Sequence, residues 1–250
     1  MPLLLLVSLA LQILCAIHVV RSGRPLYWIW LLLIGSYIAV LIYVLVAVIP
    51  DLRNDPRSRK AAKQVLDTLD PQRRRRLIQQ RLELADTVDN RRSLAEECLR
   101  LGDYANAAEL YRSMLKGIYA SDPQFMLGLA HAEAGCGDYA GARATLDALI
   151  KAHPAFRSSE GHLLYARCLE ELGEHDAALH EYEALARSYP GEQARLRYAR
   201  LLRKRERIED ARQVLTDMLR RAKLAPSYYR SKEREWLDAA QRELSTLEAG

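Results

Sequence analysis

Apolar and polar residues are distributed along this chain in two different ways. Residues 2–20 carry no charged side chain apart from whatever His18 holds, and residues 26–49 carry no ionisable group except tyrosine hydroxyls. At ~1.5 Å of rise per residue these runs make helices of ~28 and ~36 Å, long enough for a ~30 Å hydrocarbon core. Between them Arg21-Ser22-Gly23-Arg24-Pro25 reads as a polar turn, with Pro25 suited to the first turn of the next helix. Tyr27, Trp28 and Trp30 cluster just beyond it, where an interfacial aromatic belt belongs. From about residue 88 the pattern changes to apolar positions at i, i+4 and i+7, the signature of amphipathic helices. The fold class predicted is all-α: a two-span transmembrane hairpin followed by an α-solenoid of about four divergent helix pairs and a C-terminal capping helix.

The helix pairs emerge when a small alanine in each second helix is aligned. Around Ala107 stand Leu94-Ala95, Gly102-Asp103-Tyr104, Tyr111 and Met114; around Ala142, Leu129-Ala130, Gly137-Asp138-Tyr139, Leu146, Leu149 and Pro154. Around Ala178 stand Tyr165-Ala166, Gly173-Glu174-His175, Tyr182, Leu185 and Pro190; around Ala211, Tyr198-Ala199, Glu206-Arg207-Ile208, Leu215 and Met218. The aligned alanines are 35, 36 and 33 residues apart. Glycine ends the first helix through a left-handed cap, alanine lets two helices approach, and proline stops the second helix. A single pair cannot bury its own apolar face, so the pairs stack. With this period and these residues the chain resembles tetratricopeptide-repeat (TPR) proteins over roughly 88–224. Repeat one has Met114 where alanine is usual and a late Pro123; repeat four lacks the capping glycine and the terminal proline. After Pro226, a helix running to about Leu247 with Trp236, Leu237, Ala240 and Leu244 on one face reads as the solenoid's cap, with a partner-docking helix as the alternative.

The amino-terminal pattern His18-x2-Arg21-Ser-Gly-Arg24-x3-Trp28-x-Trp30, with Gly35, Tyr43 and Pro50, resembles the membrane hairpin that precedes phospholipase D nuclease domains. The resemblance implies an anchor only, because no histidine stands two before a lysine, as the catalytic His-x-Lys-x4-Asp pattern requires. A cleaved signal peptide needs a basic start, whereas the chain begins Met-Pro-Leu-Leu. A lipoprotein needs a small residue before its cysteine, whereas Leu14 precedes Cys15. A buried helical hairpin is the remaining alternative. Hairpin and divergent repeats together are similar to bacterial membrane TPR proteins, and 30 Arg against seven Lys fits a GC-rich bacterial source. The expected location is the bacterial inner membrane, multi-pass with two spans and cytoplasmic repeats, since the denser basic flank follows the second span.

Charge refines this division. The chain has 250 residues and a net charge of +5, yet residues 1–50 hold only Arg21 and Arg24 as charged side chains. Residues 51–81 hold ten Lys and Arg against four Asp, net +6, which leaves 82–250 at net −3. The basic excess is thus a juxtamembrane collar (Arg53, Arg57, Arg59, Lys60, Lys63 and the run Arg73, Arg74, Arg75, Arg76) on a helical neck over 51–87. Such a collar holds anionic lipid headgroups or merely sets topology. No aromatic residue interleaves it to stack a base, so nucleic acid is not an expected partner.

Catalytic and cofactor patterns are missing. There is no phosphate loop, no Gly-x-Ser-x-Gly elbow, no His-Glu-x2-His and no Cys-x2-Cys pair. The chain reads as a non-enzyme with no metal or cofactor. Cys98, Cys136 and Cys168 fall late in first helices and read as core; Glu133 reads as groove-facing or solvated. The first helices of a TPR solenoid line a groove, and the register places Arg92, Glu96, His131, Arg167, Arg200 and Arg203 there. Arg92, Arg167 and Arg200 suit an acidic side chain or carboxylate, with solvated surface arginine as the alternative. A membrane-anchored adaptor recruiting a protein or peptide is the leading reading. The alternatives are a structural subunit that oligomerises through Gly35, Ser36 and Ala39 and a lipid-surface sensor.

Overall fold

The computed structural model describes residues 12–20, 27–34, 42–43 and 70–249. The chain divides into two compact units, Met1–Arg73 and Arg74–Gly250.

In the first unit residues 12–20 are helical, as are Tyr27–Ile34. Cys15, Val19, Leu32 and Tyr43 are buried together with Trp28 against them. The Tyr43 hydroxyl and His18 Nδ1 share a 3.0 Å hydrogen bond, and the Tyr43 ring lies 5.2 Å, edge to face, from that of Trp28. The two-span hairpin expected over 2–20 and 26–49, with its phospholipase-D-type anchor, is corrected here. Among the described residues no helix is long and apolar enough to cross a membrane. The two-span inner-membrane location is overturned on that ground. The remainder of both expected spans, and the neck helix expected over 57–69, lie outside the described residues.

The second unit is a succession of helices in which each packs on the next. It begins with α1 (Arg73–Leu84). Four pairs follow: α2 (Val88–Leu101) with α3 (Tyr104–Met114), α4 (Pro123–Gly135) with α5 (Tyr139–Ala152), α6 (Ser159–Glu171) with α7 (His175–Ser188), and α8 (Gln193–Lys204) with α9 (Ile208–Leu224). A short α10 (Ser227–Lys232) leads to α11 (Arg234–Ala249), which packs mainly on α9 and also on α8. Neighbouring pairs touch through α3–α4, α5–α6 and α7–α8, and the first helix α4 also touches the first helices α2 and α6 on either side.

Alanine sets these approaches. Ala95, Ala130, Ala166 and Ala199 on the first helices, and Ala107, Ala142, Ala178 and Ala211 on the second, are each at most 2% exposed. Larger side chains close the core around them: Tyr111 and Met114, Leu146 and Leu149, Tyr182 and Leu185, Leu215 and Met218. Gly128 takes the approach further, since a Cβ there would lie 2.3 Å from the Tyr111 ring. Cys98 and Cys168 belong to this core, whereas Cys136 is exposed. The expectation of three buried cysteines fails at Cys136 because it follows the last residue of α4 and directly precedes the turn at Gly137. There the backbone leaves the helix and the side chain leaves the packed face.

Each first helix ends in the same motif. Gly102, Gly137 and Gly173 have φ of 76°, 84° and 81°, and at the equivalent place in the fourth pair stands Glu206 with φ 61°. In all four the next residue's N–H donates to a carbonyl five back: Asp103 to Cys98, Asp138 to Glu133, Glu174 to Leu169 and Arg207 to Leu202. The fourth pair therefore keeps the glycine geometry without glycine. Pro123, late for a stop signal, is instead the first residue of α4, behind Asp122, whose carboxylate accepts from the N–H groups of Gln124 and Phe125 at 3.0 Å.

Two outcomes are expected. A non-glycine residue in the left-handed region costs ~1–2 kcal/mol, part of which glycine returns as chain entropy. Glu206→Gly should therefore raise unfolding free energy in urea by about 0.5–1 kcal/mol, and an unchanged or lower value would contradict the strain. Thiol titration with a disulfide reagent at pH ~8, near the ordinary cysteine pKa, should modify Cys136 in the native protein. Cys98 and Cys168 should react only on unfolding, since burial also pushes the Cys168 thiol up to about 11.

Candidate functional site

The row of first helices carries the residues singled out from sequence, and the structure sorts them by partner. Arg92 donates to Glu96 one turn along α2 at 2.8 Å; both are half exposed and neutralise each other. Arg200 and Arg203 on α8 both reach Glu243 of α11, at 2.9 and 2.5 Å. Glu243 lies 43 residues from Arg200, so nothing in local sequence pointed to it.

His131 and Arg167 are brought together. They line a cleft of about 260 Å3 with Leu99, Tyr104, Ala134, Gly135 and Leu164. Gly135 on α4 lets the Tyr104 ring pack directly against the helix at the cleft: a Cβ there would lie 2.3 Å from the ring. Arg167 is half-buried, and its Nε is shielded from solvent with no hydrogen-bond partner among the described residues. Burial of the His131 ring pushes its pKa below the ordinary histidine value; Glu160 opposes this and the positive Arg167 adds to it. At neutral pH the cleft thus presents a neutral imidazole, a fixed guanidinium and apolar walls. That combination accepts an anion or a strong hydrogen-bond acceptor.

The basic run at the start of α1 is engaged in part with the first pair. Arg75 reaches Asp103 at 2.8 Å, and Arg74 lies 3.4 Å from Glu97, whose other partner is Arg100 at 2.6 Å. The Arg100 hydrogen bond holds the Glu97 carboxyl below its usual range against the opposing effect of burial. Ile78 of α1 is buried with Leu94, Cys98 and Tyr111, so α1 packs as an extra layer on the first pair. Arg73 is exposed at the helix start, and Arg76 is also exposed. Arg53, Arg57, Arg59, Lys60 and Lys63 lie outside the described residues.

Glu133 differs from its sequence reading as groove-facing or solvated. It is 6% exposed and accepts from Arg112 at 2.8 Å and Thr145 at 2.7 Å, tying α4 to α3 and α5. A buried carboxylate is retained only with such partners. A second buried group joins the α7–α8 connection to the end of the chain. Glu233 accepts from the Glu192 N–H at 2.9 Å, and Glu192 accepts from Tyr229 at 2.8 Å and Arg195 at 3.1 Å. Among the described residues no group of three or more His, Cys, Asp or Glu is placed to hold a metal ion.

Two family models described as tetratricopeptide repeat match the chain, at residues 99–168 and 169–229. Among solved structures it is similar to a thermophilic TPR protein of Thermus thermophilus, with 18% identity, 67% of this chain and 88% of that chain covered, and a TM-score of 0.51. At that identity the likeness is one of fold. Similarity extends to a structure titled MamA MSR-1 C2 (16% identity, 65% and 95% covered, TM-score 0.47) and to MamA of Desulfovibrio magneticus RS-1 (17%, 65% and 93%, 0.46). No curated protein matches. The two matched segments run without a break over 99–229, just over half of the chain, and over them it is a tetratricopeptide-repeat protein.

Proposed function

We propose that the protein is a non-catalytic scaffold that recruits a partner protein by holding an acidic segment in the groove of its first helices. In this reading residues 88–224 carry the groove and 225–250 cap it. TPR proteins generally mediate protein–protein interactions, and stacked repeats offer an extended surface for that purpose. The observation that carries the reading is Arg167. Of the four groove arginines, Arg92, Arg200 and Arg203 have carboxylate partners within the chain, whereas the buried Nε of Arg167 has none. A half-buried guanidinium without a carboxylate partner among the described residues is available to one from a ligand. An aspartate or glutamate side chain, or a chain-terminal carboxylate, supplies the matching acceptor in a bidentate arrangement. Leu99, Leu164 and Tyr104 supply an apolar wall for a neighbouring residue.

The test is fluorescence anisotropy with a library of labelled acidic peptides, each compared with its amide-substituted counterpart. A charge-assisted hydrogen bond contributes ~1.5–3 kcal/mol, so Arg167→Ala should weaken binding about 10- to 150-fold. Arg92→Ala should change it by less than about threefold, because Arg92 is already neutralised by Glu96. Equal binding by wild type and Arg167→Ala would overturn the assignment.

A further inference from the structure

A second cavity, of about 660 Å3, opens among α5, the 153–158 connection, α6 and α7. It shares no lining residue with the cleft at His131 and Arg167. Its walls are apolar: Leu146, Leu149 and Leu185 are buried, and Phe156 is half-buried. Ile150 is 57% exposed at the cavity although it is a large aliphatic side chain. The connection that shapes the cavity is held by Ser158, whose hydroxyl accepts from the Gly161 N–H at 3.0 Å and caps α6. The size falls within the ~300–1,000 Å3 of small-molecule sites and exceeds what one side chain fills.

The charged groups lining the cavity are not equivalent. The basic groups have hydrogen-bond partners in the chain, although Arg157 keeps its charge. Arg157 Nη1 donates to the carbonyls of Pro154 at 2.6 Å and Phe156 at 3.2 Å. The His153 ring engages the Ser121 carbonyl, and His162 Nε2 engages Glu181 Oε2 at 2.7 Å. The carboxylates retain capacity. Glu181 is reached only through Oε2 among the described residues. Asp147 is half exposed, accepts from the Tyr165 hydroxyl and lies 3.7 Å from an Arg143 that also bonds Glu174, which leaves its other oxygen for a ligand. Tyr165 adds a ring at the cavity; burial, then the neighbouring Asp147 carboxylate, raises its hydroxyl pKa. Apolar walls, two aromatic rings, and two carboxylates against the single guanidinium of Arg157 form an environment that favours an organic cation over a neutral or anionic molecule.

We propose that this cavity is a binding site for a small amphipathic organic cation. The apolar body of the ligand lies against Leu146, Leu149, Ile150, Phe156 and Leu185, and its ammonium group is met by Asp147 and Glu181. The site is independent of the acidic-segment groove and of opposite charge preference.

Isothermal titration of the full chain with hexyltrimethylammonium, hexanol and hexyl sulfate tests this. The cation should bind about tenfold more tightly than hexanol, and hexyl sulfate more weakly still. The double change Asp147→Asn with Glu181→Gln should bring the cation to within about threefold of hexanol while leaving hexanol unchanged. Ile150→Trp, which fills the cavity mouth, should abolish binding of all three while Arg167→Ala leaves them intact; circular dichroism confirms that each variant is folded. Equal binding of cation and sulfate, no measurable binding of the cation, or cation binding that survives Ile150→Trp would each overturn the proposal.

Discussion

Eight alanines at the closest approach of the helices govern the repeat unit. With Ala95, Ala130, Ala166 and Ala199 on the first helices and Ala107, Ala142, Ala178 and Ala211 on the second at no more than 2% exposure, the backbones come close enough for the larger residues to close around them. A bigger side chain at any of these places would force the helices apart, and the interior has no slack to absorb it. Because each pair shares its spacing with the next, the separation set at one alanine propagates along the stack. The same constraint reaches the wall of the His131–Arg167 cleft, where Gly135 admits the Tyr104 ring.

Electrostatics decides what this scaffold offers to a partner. An arginine-rich chain suggests a diffuse positive surface, yet many of the described guanidinium groups are consumed internally. Arg112 is spent on buried Glu133, Arg100 and Arg74 on buried Glu97, and Arg195 on buried Glu192. Buried ion pairs gain little net stability after desolvation. Their geometry is nonetheless demanding: Glu133 has its two oxygens claimed by two different helices, which resists a shift of one pair against the next. What is left after this pairing is selective. Among the described residues Arg167 remains on the first-helix side without a carboxylate partner, and Asp147 and Glu181 are only partly used at the cavity beside α7.

The helical part of the fold was legible in the chain because its determinants are local. Apolar positions at helical spacing, alanines 35, 36 and 33 residues apart and glycine before the second helix report directly on the backbone, since a left-handed cap selects glycine wherever it occurs. Even the missing fourth glycine was visible as an anomaly, and the structure shows its meaning at Glu206, with φ 61°. The amino-terminal reading failed for a related reason. A long apolar run has the same composition whatever it packs against, and composition alone does not fix helix length; among the described residues no helix is long and apolar enough to cross a membrane.

Sequence alone therefore determined the all-helical repeat architecture, its period and most of its helix ends. The tertiary structure decided which residues of the first helices have work left to do. Arg167, Arg200 and Arg203 look alike in the chain, but Glu243, brought from the last helix, takes two of them and leaves the third. Glu133 proved a buried bridge because Arg112 and Thr145 meet it from the neighbouring helices, and Cys136 lies on the surface because it follows the last residue of its helix. The cavity among α5, α6 and α7 had no sequence signature, because it is the space left where two second helices and a long connection meet. Local propensity is written residue by residue, whereas pairing and empty space depend on distances that only the folded chain possesses.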